Sequence, residues 1–321
     1  MKEFDLIKKY FTEQAVNRKD VVLGIGDDCA LLTPSERQNI AITTDTLVAG
    51  VHFPSDTPPR AIGHKAIAVN LSDLAAMGAE PTWLSMAITL PNIDEEWVSE
   101  FCAGVFELCE YYHVQLVGGD TTQGPLSITV TAQGLTPFDK HITRSGAKAG
   151  DWLYVTGELG DAALALQHYY KKVSLTKEAL NTVNKRLNYP MPRVLAGQAL
   201  RGYASAAIDL SDGLIADLEH ICQASNVGAN LVLENLPLSD TLNASLGQAA
   251  GIELALKGGD DYELLFTVSE DKKVGMETAL ANFGVTIPVT CIGQLNATGK
   301  ITTILNNKPT QIDAQGFEHF S

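Results

Sequence analysis

No Cys-x-x-Cys pair occurs among the five cysteines, and five is an odd number. That usage argues against a disulfide framework and a structural zinc site, and for a reducing compartment. No apolar run approaches the length of a membrane span. The opening Met1-Lys2-Glu3-Phe4-Asp5 lacks the apolar core of a signal peptide. A cytoplasmic protein is the expectation. Positive charge is scarce too: 23 Lys and Arg face 38 Asp and Glu, a formal net charge of −15. Non-specific nucleic-acid binding needs a basic footprint, so that class is disfavoured, and no membrane partner is expected. The Gly-Lys-Ser/Thr P-loop pattern and the protein-kinase set are both missing.

What is present is a 321-residue chain, 45% hydrophobic, enough for two domains with sizeable cores. An acidic protein can still handle phosphates when metal ions come between. Five acidic junctions fit that idea, each expected at the end of an apolar element. Ile40-Ala41-Ile42 reads as a buried strand ending in Thr43-Thr44-Asp45-Thr46, then Gly50-Val51-His52-Phe53. Hydroxyls and a carboxylate at a strand end suit a hard cation such as Mg²⁺. Val21-Val22-Leu23 leads through Gly24-Ile25-Gly26 to the adjacent acids Asp27 and Asp28. Val114 to Val117 is a buried strand leading into Gly118-Gly119-Asp120-Thr121-Thr122, and Ala206-Ala207-Ile208 leads into Asp209-Leu210-Ser211-Asp212-Gly213. There Leu214 begins a helix whose N-terminus favours phosphate.

The fifth junction is helical. Pro58-Pro59 open a helix ending at Gly78, and its apolar stripe runs Ile62, Ala66, Val69, Asp73, Ala76. A lone carboxylate on that stripe calls for a partner Lys or Arg, a helix end that reaches water, or a metal. Residues 1–18 read as a surface helix, residues 82–90 and 126–131 as strands, and 94–113 as a helix that buries Cys102 and Cys109. The composition breaks at Pro137, which divides the chain into residues 1–137 and 138–321. Arg144, in the loop after the break, is either solvated or a phosphate contact.

Taken in order, these motifs resemble the thiamine-monophosphate kinases of the aminoimidazole ribonucleotide synthetase superfamily. The marks are Gly24-Ile25-Gly26-Asp27-Asp28, Thr43-Thr44-Asp45, Gly50-Val51-His52-Phe53, Asn70-Leu71-Ser72-Asp73, Gly118-Gly119-Asp120-Thr121, Arg144-Ser145-Gly146, Asp209-Leu210-Ser211-Asp212-Gly213, Gly258-Gly259-Asp260-Asp261-Tyr262 and His319-Phe320. The resemblance implies an α/β fold of two domains with mixed sheets. The N-terminal domain would bind Mg-ATP and pair its sheets into a dimeric barrel, and the C-terminal domain would complete the nucleotide and substrate site. It implies ATP-dependent phosphorylation of thiamine monophosphate to thiamine diphosphate, with several Mg²⁺ ions held by Asp28, Thr43, Thr44, Asp45, Asp73, Asp120, Asp209 and Asp212. ATP contacts would come from Gly119, Asp120, Arg144 and Ser211. The thiamine phosphate would meet His52, Asp260 and Phe317. Asp45, Asp73, Asp120 and Arg144 would carry the catalytic charge. Two positions depart from the family pattern. Asp260 stands where Glu is usual, so its contact needs a water or passes to Glu263, and Phe317 stands where Trp or Tyr is frequent.

Three other readings compete: a sibling ribonucleotide-cyclising enzyme, a selenophosphate-type enzyme and a Mg-nucleotide-binding regulator. The second calls for a reactive cysteine near the N-terminus, whereas the first cysteine here is Cys29, after the Asp pair. ATP turnover that requires thiamine monophosphate separates all three from the main reading.

Overall fold

The structure, a computed structural model of the single chain, describes residues 3–310. Two compact units divide it. One runs to Leu74 and resumes over Ala79–Asp139; the other takes Ala75–Gly78 and the chain from Lys140 onward.

The first unit is built on a four-stranded sheet in the order β3-β6-β4-β5, with a small β1/β2 ribbon beside it in sequence. Its strands are β1 (Val21–Leu23), β2 (Leu31–Leu32), β3 (Gln38–Val48), β4 (Glu80–Leu90), β5 (Gln115–Gln123) and β6 (Ser127–Pro137). Only the β4/β5 pairing is parallel. The connection between those two strands is α3 (Glu95–Tyr112), as parallel neighbours require a crossover. Asp94 caps α3 by accepting from the N–H groups of Glu96 and Trp97, and His113 ends it in the left-handed region. Helix α2 (Pro59–Ala76) packs closely on α3 through glycines. A side chain at Gly63 would meet the Phe101 carbonyl, and one at Gly104 the Arg60 carbonyl.

Three expectations change here. The opening helix is short: α1 (Glu3–Leu6) widens through Ile7–Phe11 and stops. Beyond it Gln14 pairs twice with the Leu116 backbone, so that stretch lies beside a strand and cannot coil. Next, β3 does not end at Ile42. Its eleven residues pair continuously with β6, because Thr43, Thr44 and Thr46 are β-branched strand formers that satisfy the ladder as well as any apolar residue. Nor is it buried throughout: Ile40 and Ile42 are 45% and 66% exposed on this edge strand. Last, β5 runs on through Gly118-Gly119-Asp120 to Gln123. Gly119 makes that possible, since a Cβ there would lie 1.9 Å from the Met86 carbonyl oxygen.

The second unit holds a seven-stranded sheet among the described residues, ordered β13-β12-β9-β11-β7-β10-β8. The strands are β7 (Trp152–Thr156), β8 (Ala204–Asp209), β9 (Gly228–Val232), β10 (Leu264–Val268), β11 (Val289–Asn296), β12 (Ile301–Leu305) and β13 (Lys308–Thr310). All pairs are antiparallel except β9 with β12. The helices are α4 (Asp161–Tyr169), α5 (Lys177–Asn188), α6 (Val194–Ala199), α7 (Leu214–Ser225), α8 (Asp240–Leu246), α9 (Gln248–Lys257) and α10 (Lys273–Asn282). Leu214, Leu218 and Ile221 of α7 and Ile252 and Leu256 of α9 close one core with Val155, Ile208, Leu265 and Ile292 of the sheet. Among the described residues no helix is long and apolar enough to cross a membrane.

Candidate active site

In the first unit, strand alternation sorts the expected ligands onto two faces. Thr43, Asp45 and Leu47 share one. Their rows continue into Ala132, Val130 and Ile128 of β6, all buried. Asp73 of α2 reaches this face, where the Thr43 hydroxyl donates to Asp73 Oδ2. The stripe carboxylate thus meets a hydroxyl at a half-buried position, and Asp45 is half-buried on the same strand face. Thr44 and Thr46 point the other way, with their hydroxyls 2.9 Å from those of Thr131 and Thr129. Asp120 belongs to that second face by register: it pairs with Ala87, which pairs with Thr129, which pairs with Thr46. The structure therefore joins Thr43 to Asp73, puts Asp45 on the same face of the strand, and sets Thr44 and Asp120 on the other. Asp27 and Asp28 are exposed in their glycine turn, with the Asp28 N–H donating to Asp27 Oδ1 at 2.8 Å.

His52 sits in a turn after β3, where its Nδ1 accepts the Val48 N–H at 3.0 Å. A neutral ring bonded this way carries its proton on Nε2. The buried Lys65 of α2 donates from Nζ to the His52 carbonyl at 3.2 Å, a support that sequence reasoning missed.

In the second unit the junction after β8 is laced to the loop before β10. Leu210 N donates to the Glu263 carbonyl, Tyr262 N to the Leu210 carbonyl and Asp260 N to the Ser211 carbonyl, at 2.8, 2.8 and 2.9 Å. Asp209 is 4% exposed, while Ser211 and Asp212 are half-buried. Asp260 and Tyr262 both adopt positive φ, 68° and 49°. Left-handed backbone is tolerable for Asp and strained for a bulky ring. The Tyr262 hydroxyl helps to hold the pair by donating to Asp260 Oδ1 at 3.0 Å.

The neighbouring acids have other work. Glu263 is 2% exposed and receives a two-pronged contact from Arg193, with Nε at 2.6 Å from Oε2 and Nη2 on Oε1, together with the Thr156 hydroxyl at 2.6 Å. Burial pushes this carboxyl up, and Arg193 and Thr156 pull it back. Both oxygens of Glu263, to which the Asp260 contact was expected to pass, are thus already engaged within the protein. Asp261 takes the N–H of Gly160 at 3.0 and 3.1 Å, at the start of α4. Burial raises its carboxyl well above the usual range, and the charges of Glu263, Asp161 and Asp260 add to the effect. Asp217 of α7, 2% exposed, accepts the N–H groups of Ser211, Asp212 and Gly213 on one oxygen at 3.1, 3.2 and 3.2 Å. The three N–H groups just ahead of α7 are thus engaged within the chain. Arg144 is exposed, and its carbonyl accepts from Ser225 Oγ. Phe317 lies outside the described residues.

Among the described residues no three acidic, histidine or cysteine side chains gather into a ready metal cage. The donors present are carboxylate and hydroxyl oxygens, in ones and twos. That set fits Mg²⁺, which characteristically takes one or two carboxylates, keeps several waters and completes its shell with substrate phosphates.

The family model for the N-terminal domain of AIR synthase related proteins matches residues 26–136, and that for the C-terminal domain matches residues 148–306. A thiamine-monophosphate kinase of Escherichia coli (strain K12) is 50% identical over 99% of this chain and 98% of its own length. A solved thiamine-monophosphate kinase from Stenotrophomonas maltophilia K279a superimposes with a TM-score of 0.84 at 41% identity, covering 92% of this chain and 93% of that one. AaThiL complexed with AMPPCP and TMP superimposes with a TM-score of 0.78 at 32% identity over 92% of each chain.

Proposed function

The chain belongs to the thiamine-monophosphate kinase family, and from that premise we propose that it transfers the γ-phosphoryl group of ATP to thiamine monophosphate, giving thiamine diphosphate. One observation carries the reading: AaThiL, which shares this fold, is complexed with both AMPPCP and TMP. The acidic junctions support it, because two polyanionic substrates on a protein of net charge −15 need oxygen donors that recruit cations.

Thr43, Asp45 and Asp73 form one donor group on β3 and α2, Asp28 and Asp120 supply further carboxylates, and Asp209 and Asp212 are the donors of the second unit. Thr44 contributes no side-chain donor to the Asp45 group, since its hydroxyl faces Thr131. Mg²⁺, when bound, neutralises charge on the phosphates between which the group moves. Gly119 and Ser211 contact the nucleotide, and Arg144 meets phosphate through its planar guanidinium. Asp260 attracts the cationic thiazolium, and His52 presents its Nε2–H to the same substrate. Phe317 is assigned to the thiamine ring by family resemblance.

The acceptor is a phosphate monoester with a second pKa of about 6, so at neutral pH it is a dianion that needs no general base. The carboxylates serve as ligands and leave no protein nucleophile for the γ-phosphate. Transfer is direct and in line, with no phosphoenzyme. The exposed Ile40 and Ile42 on the edge strand β3 support pairing with a second copy as a homodimer. A cytoplasmic setting follows from the cysteine usage.

Incubation with ATP, Mg²⁺ and thiamine monophosphate, with products resolved chromatographically, is the test. Thiamine diphosphate should form, and ATP turnover should require the acceptor. Turnover indifferent to thiamine monophosphate would overturn the reading. Labelled ATP alone should leave no covalent phosphate on the denatured protein, and light scattering at micromolar concentration should return twice the chain mass.

A further inference from the structure

Three backbone N–H groups converging at a helix N-terminus make an anion site. Just ahead of α7 the N–H groups of Ser211, Asp212 and Gly213 converge, and what they meet is one carboxyl oxygen of Asp217, a single turn into that helix. Asp217 also closes that first turn, its own N–H donating to the Gly213 carbonyl at 3.0 Å. Gly213 is obligatory at the crossing point. Its φ is +115°, and a Cβ would stand 2.8 Å from the Lys257 carbonyl oxygen.

The remaining backbone groups of the loop are tied on the opposite side. Leu210 exchanges bonds with Glu263 and Tyr262, and the Ser211 carbonyl accepts from Asp260 N. The stretch 210–213 is thus laced from both sides through backbone atoms. Its backbone N–H groups are consumed, and what it has left to offer a ligand is side chains. Burial holds Asp217 away from water, so this carboxylate does not itself reach a substrate.

We propose that Asp217 is a positioning residue. By taking the three N–H groups just ahead of α7 it fixes the loop that carries Ser211 and Asp212, and it leaves that loop to meet the nucleotide with these side chains rather than with the backbone N–H groups of residues 211–213. The inference rests on the reading that Ser211, Asp209 and Asp212 serve the nucleotide.

The test uses the full-length protein with Asp217→Asn, Asp217→Ala and Asp217→Glu. The Asn variant keeps an acceptor oxygen of the same reach, so it separates charge from shape and remains informative if the Ala variant does not fold. Calorimetric titration with AMPPCP and Mg²⁺ is the first readout, and steady-state kinetics well below the melting temperature is the second. Residues that orient metal ligands typically change affinity or activity by about 10–100-fold. Asp217→Ala should therefore weaken AMPPCP binding at least about tenfold, with KM for thiamine monophosphate changed less than about twofold. Asp217→Glu should fail similarly despite keeping the charge, because its longer arm displaces the loop. Formate should restore part of the AMPPCP affinity of Asp217→Ala and do nothing to the wild type. A purely structural role predicts lower melting temperatures with unchanged nucleotide affinity, and that result overturns the proposal. Wild-type protein that never turns over ATP with thiamine monophosphate would instead sink the functional reading beneath it.

Discussion

The acids of the two units lead opposite lives. In the first, Asp28 and Asp120 stand exposed and Asp45 and Asp73 are half-covered, carried on strand, helix and turn with oxygen neighbours such as the Thr43 hydroxyl. In the second, Asp217, Asp261 and Glu263 are locked in place by backbone N–H groups or by a guanidinium. Both sets follow glycine-rich, acidic motifs of similar appearance. The difference lies in who satisfies the carboxylate. One met by water and hydroxyls remains able to take a cation, whereas one saturated by N–H donors is already part of the scaffold. An acidic motif thus contains both presented groups and groups that do the presenting.

The largest expected effect breaks the first kind. Asp45→Asn should abolish turnover, by about 10²-fold or more, because it removes charge where charge develops in the transition state. The fold should stay intact, since the residue is half-exposed on a fully paired strand. Near-wild-type turnover at saturating Mg²⁺ would show that Asp45 belongs with the scaffold acids. The converse change is Arg193→Met, which strands Glu263 in a 2% exposed position. Removing one partner of a buried pair destabilises by about 3–5 kcal/mol. Denaturant unfolding should report that loss as a lower midpoint. An unchanged midpoint would mean that the pair only orients the loop.

Much of this division was legible in the residues, and the limit is instructive. The helix and strand boundaries around Asp209, Leu214 and Leu264 followed from apolar runs and glycines, as did α2 and α3. The strand ends at Asp45 and Asp120 did not, because a threonine-rich segment looks polar in sequence and is a strand in the sheet. The rule that singled out Asp73, a carboxylate on an apolar helical stripe, applies equally to Asp217, which lies on the stripe of Leu214, Leu218 and Ile221. Sequence periodicity flags both and cannot tell them apart. What separates them is a hydroxyl in one case and three converging N–H groups in the other, and those depend on turn geometry at Gly213. Arg193, one residue beyond Pro192, gave no local signal that it would reach Glu263.

A pH experiment sharpens the comparison from the stability side. Asp161 is 2% exposed, and burial raises its carboxyl above the ordinary range, opposed by the Ser239 hydroxyl at 2.6 Å. A carboxyl raised on folding binds its proton more tightly in the native state than in the unfolded one. Its contribution to stability is therefore largest at low pH, and it declines as pH rises from the unfolded value, near 3.8, through the folded one. Asp261 shifts in the same direction. The slope of stability against pH in this window should be less positive than paired surface acids alone would give. Asp161→Asn should remove part of that downward term. Denaturant midpoints at a series of pH values, compared between the two proteins, measure it; parallel curves would mean that Asp161 does not change its ionisation on folding.

The smallest effect concerns the thiols, which sample the same contrast between presented and enclosed groups. Cys29 is exposed one residue beyond Asp28, in the loop that presents the acid pair. Cys102 and Cys109 are buried on α3, and burial pushes both thiols up to about 12. The thiolate is the reactive form, so at neutral pH these two are both unreachable and almost wholly protonated. Cys222 is buried as well, with its thiol raised to about 11, and Cys291 is half-buried. A maleimide added to the native protein should therefore label Cys29 first and Cys291 more slowly, leaving Cys102, Cys109 and Cys222 untouched until denaturant is added. Peptide mass mapping resolves the order. If the glycine turn around Asp27 and Asp28 closes over bound nucleotide, AMPPCP with Mg²⁺ should slow labelling at Cys29 and leave Cys291 unchanged. Equal protection of both, or of neither, would remove the Asp28 turn from the set of presented acids and leave Thr43, Asp45 and Asp73 as the first unit's working donors.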